Sequence, residues 1–151
     1  MWPIIDRIFP IVVNNEYGGN PCVIWVFWLL TIISIGRSLV HMLKFDGGAE
    51  TIATIPLRKF PIQASETIVS IFAIWGISQL LMALVYLVIL WRYNSLLPFG
   101  CLLFTTEYLL RLLVKPVLGK KIHTEGQAPG GVGNYACVPI GIILFWLSLP
   151  L

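Results

Sequence analysis

Residues 96–118 read LLPFGCLLFTTEYLLRLLVKPVL, an apolar run interrupted by Glu107 and, four residues on, Arg111. At 1.5 Å per residue a helix of this length spans about 34 Å, enough to cross ~30 Å of hydrocarbon. A carboxylate placed in hydrocarbon costs roughly 2.5–3.5 kcal/mol on insertion scales, so an acid kept there has a partner or a task. The reading of the whole chain turns on where Glu107 sits and what faces it.

Three further stretches resemble this one: 22–42, 67–90 and 132–151. The 151 residues are 58% hydrophobic and only 11% charged, with a mean hydropathy of +0.87. Soluble domains carry about 25% charged residues, so the composition is that of an integral membrane protein. Segments in lipid satisfy their own backbone hydrogen bonds, and no period-2 alternation suggests a barrel. The expected fold is all-α: one transmembrane domain over 1–151, with four antiparallel transmembrane helices in a bundle. Residues 1–13 are too short and broken, with Asp6 in the wrong place, for a secretory signal. They predict a short interfacial segment, with Trp2, Ile4, Ile5, Ile8 and Phe9 on the membrane surface.

Four crossings put both termini on one side. That side holds Arg7 and Arg92, and the other holds Lys44, Arg58, Lys59, Lys115, Lys120 and Lys121. The positive-inside rule places the two long connections in the cytoplasm and both termini outside. Trp25, Trp28, Trp91 and Trp146 gather toward the terminal side and mark one interfacial rim, whereas Trp75 reads as a packing residue. Arg58, Lys59, Lys120 and Lys121 are the candidates for contact with lipid head groups, at about 1 kcal/mol each. The alternative is that they only set topology.

Placing the charges by depth, with Lys44 and Lys115 as boundary markers, puts Arg37 roughly 10 Å, Glu107 roughly 12 Å and Arg111 roughly 6 Å inside. Glu66 follows Lys59 into the second helix from the same side, and His41 lies one turn outward of Arg37. Arg37, His41, Glu66, Glu107 and Arg111 are therefore expected in one polar layer drawn from three helices. Two arginines and two glutamates make that layer neutral; matching depths pair Arg37 with Glu107, and Arg111 then faces Glu66 or bridges to Glu107, for which Glu before Arg at i,i+4 is the favourable order. Gly100, on the face of Phe104, Glu107 and Arg111, would let a neighbouring helix approach closely. Ser78, Gln79, Met82 and Tyr86 make a second stripe higher on the second helix.

Other chemistry finds little support. His41, His123, Glu50 and Glu125 lack metal-ligand spacing, and the three cysteines form no CxxC pair, so neither metal nor cofactor is expected. A Cys22–Cys101 disulfide is open only if their helices adjoin. There is no GxSxG elbow or phosphate loop; 129–134, PGGVGN, reads as a flexible entry to the last helix. Pro139, in the first turns of that helix, is tolerated. The remainder of the helix is a lipid- or partner-facing wall. No basic stripe supports nucleic-acid binding.

In length and number of apolar segments the chain is similar to the small four-helix bacterial membrane proteins, DoxX-like proteins among them. That likeness implies a bacterial inner-membrane location. Four-helix glutathione-linked membrane enzymes carry a Glu-Arg pair followed by Asn on the second helix, and this chain has only Gln79 in an apolar helix. The expected function is a non-catalytic accessory or assembly subunit, or a self-associating component, in contact with membrane lipids and other subunits. One alternative is a proton, ion or small-solute transporter using Glu107, Arg37 and His41. Another is a lipid-modifying or lipid-binding membrane enzyme.

Overall fold

A computed structural model describes residues 3–150. Among these there is no strand, and four helices are long and apolar enough to cross a membrane. A short helix α1 (Pro3–Ile8) precedes the long helices α2 (Cys22–Leu43), α3 (Ile62–Arg92), α4 (Leu97–Leu118) and α5 (Pro129–Ser148). The expected interfacial segment includes Met1 and Trp2, which lie outside the described residues, as does Leu151.

Two helices start earlier than 67–90 and 132–151 suggest. α3 begins directly after Pro61, whose fixed φ suits a helix entry, and runs for 31 residues. That is about 46 Å, well beyond the hydrocarbon thickness. α5 begins at Pro129, so PGGVGN is helical rather than a flexible lead-in. Pro139 consequently falls in the helix interior, where it removes one backbone hydrogen bond and favours a kink.

α2 packs along α3 through small residues. Thr31, Ser34 and Ser38 are buried, and their hydroxyls donate to the carbonyls of Phe27, Leu30 and Ser34 at 2.8, 2.8 and 2.7 Å. Their polar atoms are thus satisfied within the helix, leaving a slim surface for the neighbour. Gly76 of α3 fits against Ser38, His41 and Met42. α4 packs along α5 in the same way, with Gly141 against Thr105.

The apolar core lies where the start of α2, the end of α3, the start of α4 and the end of α5 meet. Val23, Phe27, Tyr86, Ile89, Leu90, Leu97, Cys101, Phe104 and Leu144 are its members, with Tyr108 at its loop-side edge. Phe27 is fully buried against Tyr86 and Phe104, at ring distances of 5.1 and 6.3 Å. Gly100 does allow the close approach: a Cβ there would stand 3.3 Å from the Phe27 ring. The N-terminal segment is pinned to this end. Asn14 and Ser95 exchange three hydrogen bonds of 2.9–3.3 Å, and Phe9 stacks on Phe99 at 5.0 Å. Cys22 is exposed and Cys101 buried; both are free, so the disulfide left open by the sequence is not formed.

At the opposite end, here called the loop side, the 44–61 connection folds back onto α3. Ala49, Ile55 and Leu57 are buried against Ile68, Val69 and Phe72. Asp46 organises this connection. Its carboxylate accepts from the Gly48 N–H at 3.0 Å and from the Thr51 N–H and hydroxyl, both at 2.8 Å. Gly47 and Gly48 have φ of +59° and +75°, a region open to glycine, so the turn needs both. Burial raises the Asp46 carboxyl, but the hydrogen bonds from Thr51 and Gly48, with the nearby Lys44 charge, leave it below its ordinary value.

A folded pKa below the unfolded value stabilises the fold above the unfolded pKa of about 4, and the contribution is lost as pH falls through the folded value. Asp46→Asn is therefore expected to lower stability by about 1–3 kcal/mol at neutral pH. Melting curves of the two proteins as a function of pH check this: the difference should shrink steadily below about pH 4. A constant difference down to acid pH would remove the carboxylate from this account.

Candidate functional site

The predicted site residues separate into two groups. Arg37 of α2 reaches α4, but its partner is not Glu107. Its Nη1 donates to the Tyr108 hydroxyl at 2.9 Å. Glu107 is paired instead with Arg111, one turn along its own helix. That order, Glu before Arg at i,i+4, is the favourable one. The pair is half-buried, with 28% and 18% of the two side chains exposed, so it is not sealed inside the bundle.

Tyr108 is the residue that draws the group together. Both guanidiniums lie near its ring, Arg37 at 5.7 Å and Arg111 at 5.2 Å from the centroid. Arg111 also lies 5.0 Å from the centroid of Trp75 on α3. Guanidinium planes favour such aromatic surfaces, especially where water is scarce. Trp75 in turn contacts His41 of α2 at 4.9 Å, so a chain of contacts runs His41–Trp75–Arg111–Tyr108–Arg37 across three helices. Neither aromatic carries a charge that would flag it in the sequence. Tyr108 adjoins Glu107, and Trp75 lies mid-helix in an apolar run.

His41 is buried, and its Nδ1–H donates to the Gly47 carbonyl at 2.7 Å. This bond ties the end of α2 to the Asp46 turn, so His41 joins the site to that turn. Glu66 is absent from the group. It is exposed near the start of α3 and nine residues before Trp75, about 13 Å along the helix. The neutral cluster of two arginines and two glutamates therefore does not form. Arg37, Glu107 and Arg111 together carry a formal charge of +1.

Higher in α3 the Gln79 side chain is 95% buried, yet neither end of its amide has a partner. The Tyr86 hydroxyl is likewise buried and unpaired. Ser78, from the same expected stripe, is exposed.

The basic loop residues also divide. Arg58 bridges Glu50, at 2.7 Å, and Glu125; Lys59 reaches Glu125 at 2.5 Å. The hydrogen bonds from Lys59 and Arg58 hold the Glu125 carboxyl below the usual carboxylate range. The Glu125 N–H donates to the Thr54 carbonyl at 2.9 Å, which ties the two long connections together. Arg58 and Lys59 thus serve this tie. Lys120 and Lys121 are exposed, with no carboxylate within 4.0 Å among the described residues.

At the terminal side a separate open groove of about 430 Å³ is lined by residues including Asp6, Arg7, Asn14, Glu16, Tyr17 and Ser95. Its charges are mixed and its walls join the N-terminal segment to the start of α4 and the end of α5, so it is separate from the group around Tyr108. Compared with protein-family models, with curated proteins and with solved structures, the chain matches none.

Proposed function

We propose that this chain is a multi-pass membrane protein that works by binding a bilayer amphiphile at its loop-side arginine–aromatic group, rather than by catalysis. In this reading α2 to α5 cross the bilayer in alternating, antiparallel directions. Support comes from the outward faces of the helices, where Leu29, Ile33, Ile74, Leu81, Leu110 and Ile143 are exposed. Such a surface is costly in water and matched to lipid. The lysine-rich connections support a cytoplasmic loop side with both termini outside. A bacterial inner membrane is the setting that fits the layout.

The observation that carries the reading is the convergence on Tyr108. Charged side chains from α2 and α4 and an aromatic one from α3 meet on the loop side of the apolar core, half-buried and reachable. A purely structural brace would be neutral and enclosed. A proton path would leave its acid free to change charge, whereas Glu107 is held by Arg111.

The test compares wild type with Glu107→Gln in vesicles containing a pH-sensitive dye. Binding without transport predicts no proton flux above protein-free vesicles for either protein. It also predicts a loss of about 1–2 kcal/mol of stability for the variant, because the Arg111 partner is removed. Proton flux in wild type that disappears in Glu107→Gln would establish the transport reading instead.

A second reading, an accessory or assembly subunit, is favoured by one feature. The outer face of α5 is apolar, with Trp146 63% and Tyr135 73% exposed. Stoichiometric co-purification of a second membrane chain, lost on Trp146→Ala with Ile143→Ala, would support it. A chain that purifies alone and monodisperse counts against it.

A further inference from the structure

We infer that Arg37 is the anchor of an anion site, and that its ligand is the negatively charged head of an acidic membrane lipid. This rests on the amphiphile-binding reading above and adds the chemistry of the head group. Arg37 has no carboxylate within 4.0 Å among the described residues. Glu107, the acid expected at its depth, is already committed to Arg111. An arginine within an apolar helix, left without a counter-ion, is an expensive arrangement unless an anion comes to it.

Geometry says where the anion goes. A guanidinium offers five N–H donors in a rigid fork. One nitrogen of Arg37, Nη1, is spent on the Tyr108 hydroxyl oxygen. Nε is shielded from solvent and has no partner. The other terminal nitrogen, Nη2, is neither bonded nor covered and is the donor open to an oxygen of a phosphate or carboxylate. Tyr108 accepts from Arg37, so its own hydroxyl proton remains to be donated to the same anion.

Depth favours a lipid over a dissolved ion. Arg37 lies seven residues before Lys44, roughly 10 Å from the loop-side end of α2. A free anion would shed its water to reach that depth. A lipid head drawn down to this level keeps its chains beside Ile33 and Leu29, which are exposed on α2 one and two turns nearer the middle of the membrane. Arg111 stands on the other contact of the Tyr108 ring and adds attraction, moderated by Glu107.

The experiment uses the full chain in mild detergent, mixed with equal amounts of phosphatidylglycerol and phosphatidylcholine, and counts retained lipids by native mass spectrometry. Wild type is expected to retain the acidic lipid about tenfold better, the factor a single charge-assisted contact supplies. Arg37→Gln should bring the two lipids to parity. Arg37→Lys keeps the charge and should keep a weaker preference, which guards against a glutamine variant that fails to fold. Glu107→Gln raises the local positive charge and should strengthen the preference. Lys120→Gln with Lys121→Gln should leave it unchanged.

Inorganic phosphate that displaces the lipid at millimolar concentration would support the anion site with a water-borne ligand as its source. Preference surviving in Arg37→Gln, or lost with the two loop lysines, would overturn the assignment. Equal retention of both lipids by wild type would overturn the anion site alone. Retention of neither would overturn the amphiphile-binding reading with it.

Discussion

Replacing Gly76 with leucine is expected to force α2 away from α3 and to destabilise the protein by about 3 kcal/mol. A Cβ at this position would lie 2.9 Å from the His41 Cβ, 3.0 Å from the Met42 Cγ and 3.0 Å from the Ser38 carbonyl oxygen. The last of these is backbone and cannot rotate aside. The helices must separate, and the Thr31, Ser34 and Ser38 seam separates with them. His41 would then move relative to Trp75, which carries the disturbance into the Tyr108 group. Thermal or denaturant unfolding in detergent measures the loss. Gly36→Leu is the control: nothing lies within 4 Å of a Cβ there, so it should change stability by less than about 0.5 kcal/mol. Equal effects at the two glycines would mean that α2 and α3 do not pack as described.

Phe27→Ala is the second large effect, at about 3–5 kcal/mol, the usual cost of emptying a buried aromatic site. Phe27 is 0% exposed and is the residue on which α2, α3 and α4 meet, through Tyr86, Gly100 and Phe104. Trp25, two residues away, is 75% exposed. Trp25→Ala should therefore leave unfolding nearly unchanged under the same conditions. The ratio between these neighbours reads the rotation of α2 directly. A larger loss at Trp25 would place the core on the opposite face.

The sequence was a good guide wherever composition alone decided the matter. The four apolar stretches became four long helices because each could hardly form anything else. Depth along a helix was also legible: Arg37, Glu107 and Tyr108 do lie at one level. Rotation was not. A step of one residue turns a helix by about 100°, so the reading that matched Arg37 to Glu107 met Tyr108 instead. Glu66 was misplaced for a different reason. α3 starts at Ile62 and exceeds the span it needs, so Lys59 was a poor marker of the boundary. The pairing of Arg58 and Lys59 with Glu125 joins residues more than sixty positions apart, and no local pattern announces it.

These differences change the character of the site. A neutral, self-satisfied cluster would need nothing further to account for it. Without Glu66, one positive charge remains, set among aromatic rings and facing no acid. His41 ties the Asp46 turn to the loop-side end of α2, and the outward face of α2 nearer the middle is apolar. The proposed acidic amphiphile would answer both features at once, its head on Arg37 and its chains along the helices.

The most direct measurement of that claim uses Trp75, 5.0 Å from the Arg111 guanidinium, as the reporter. In protein whose other tryptophans are replaced by phenylalanine, its fluorescence is quenched by lipids carrying bromine. Brominated phosphatidylglycerol should quench Trp75 more strongly than brominated phosphatidylcholine at the same mole fraction, and Arg37→Gln should erase the difference. Equal quenching by the two lipids in the protein with Arg37 intact would contradict the account.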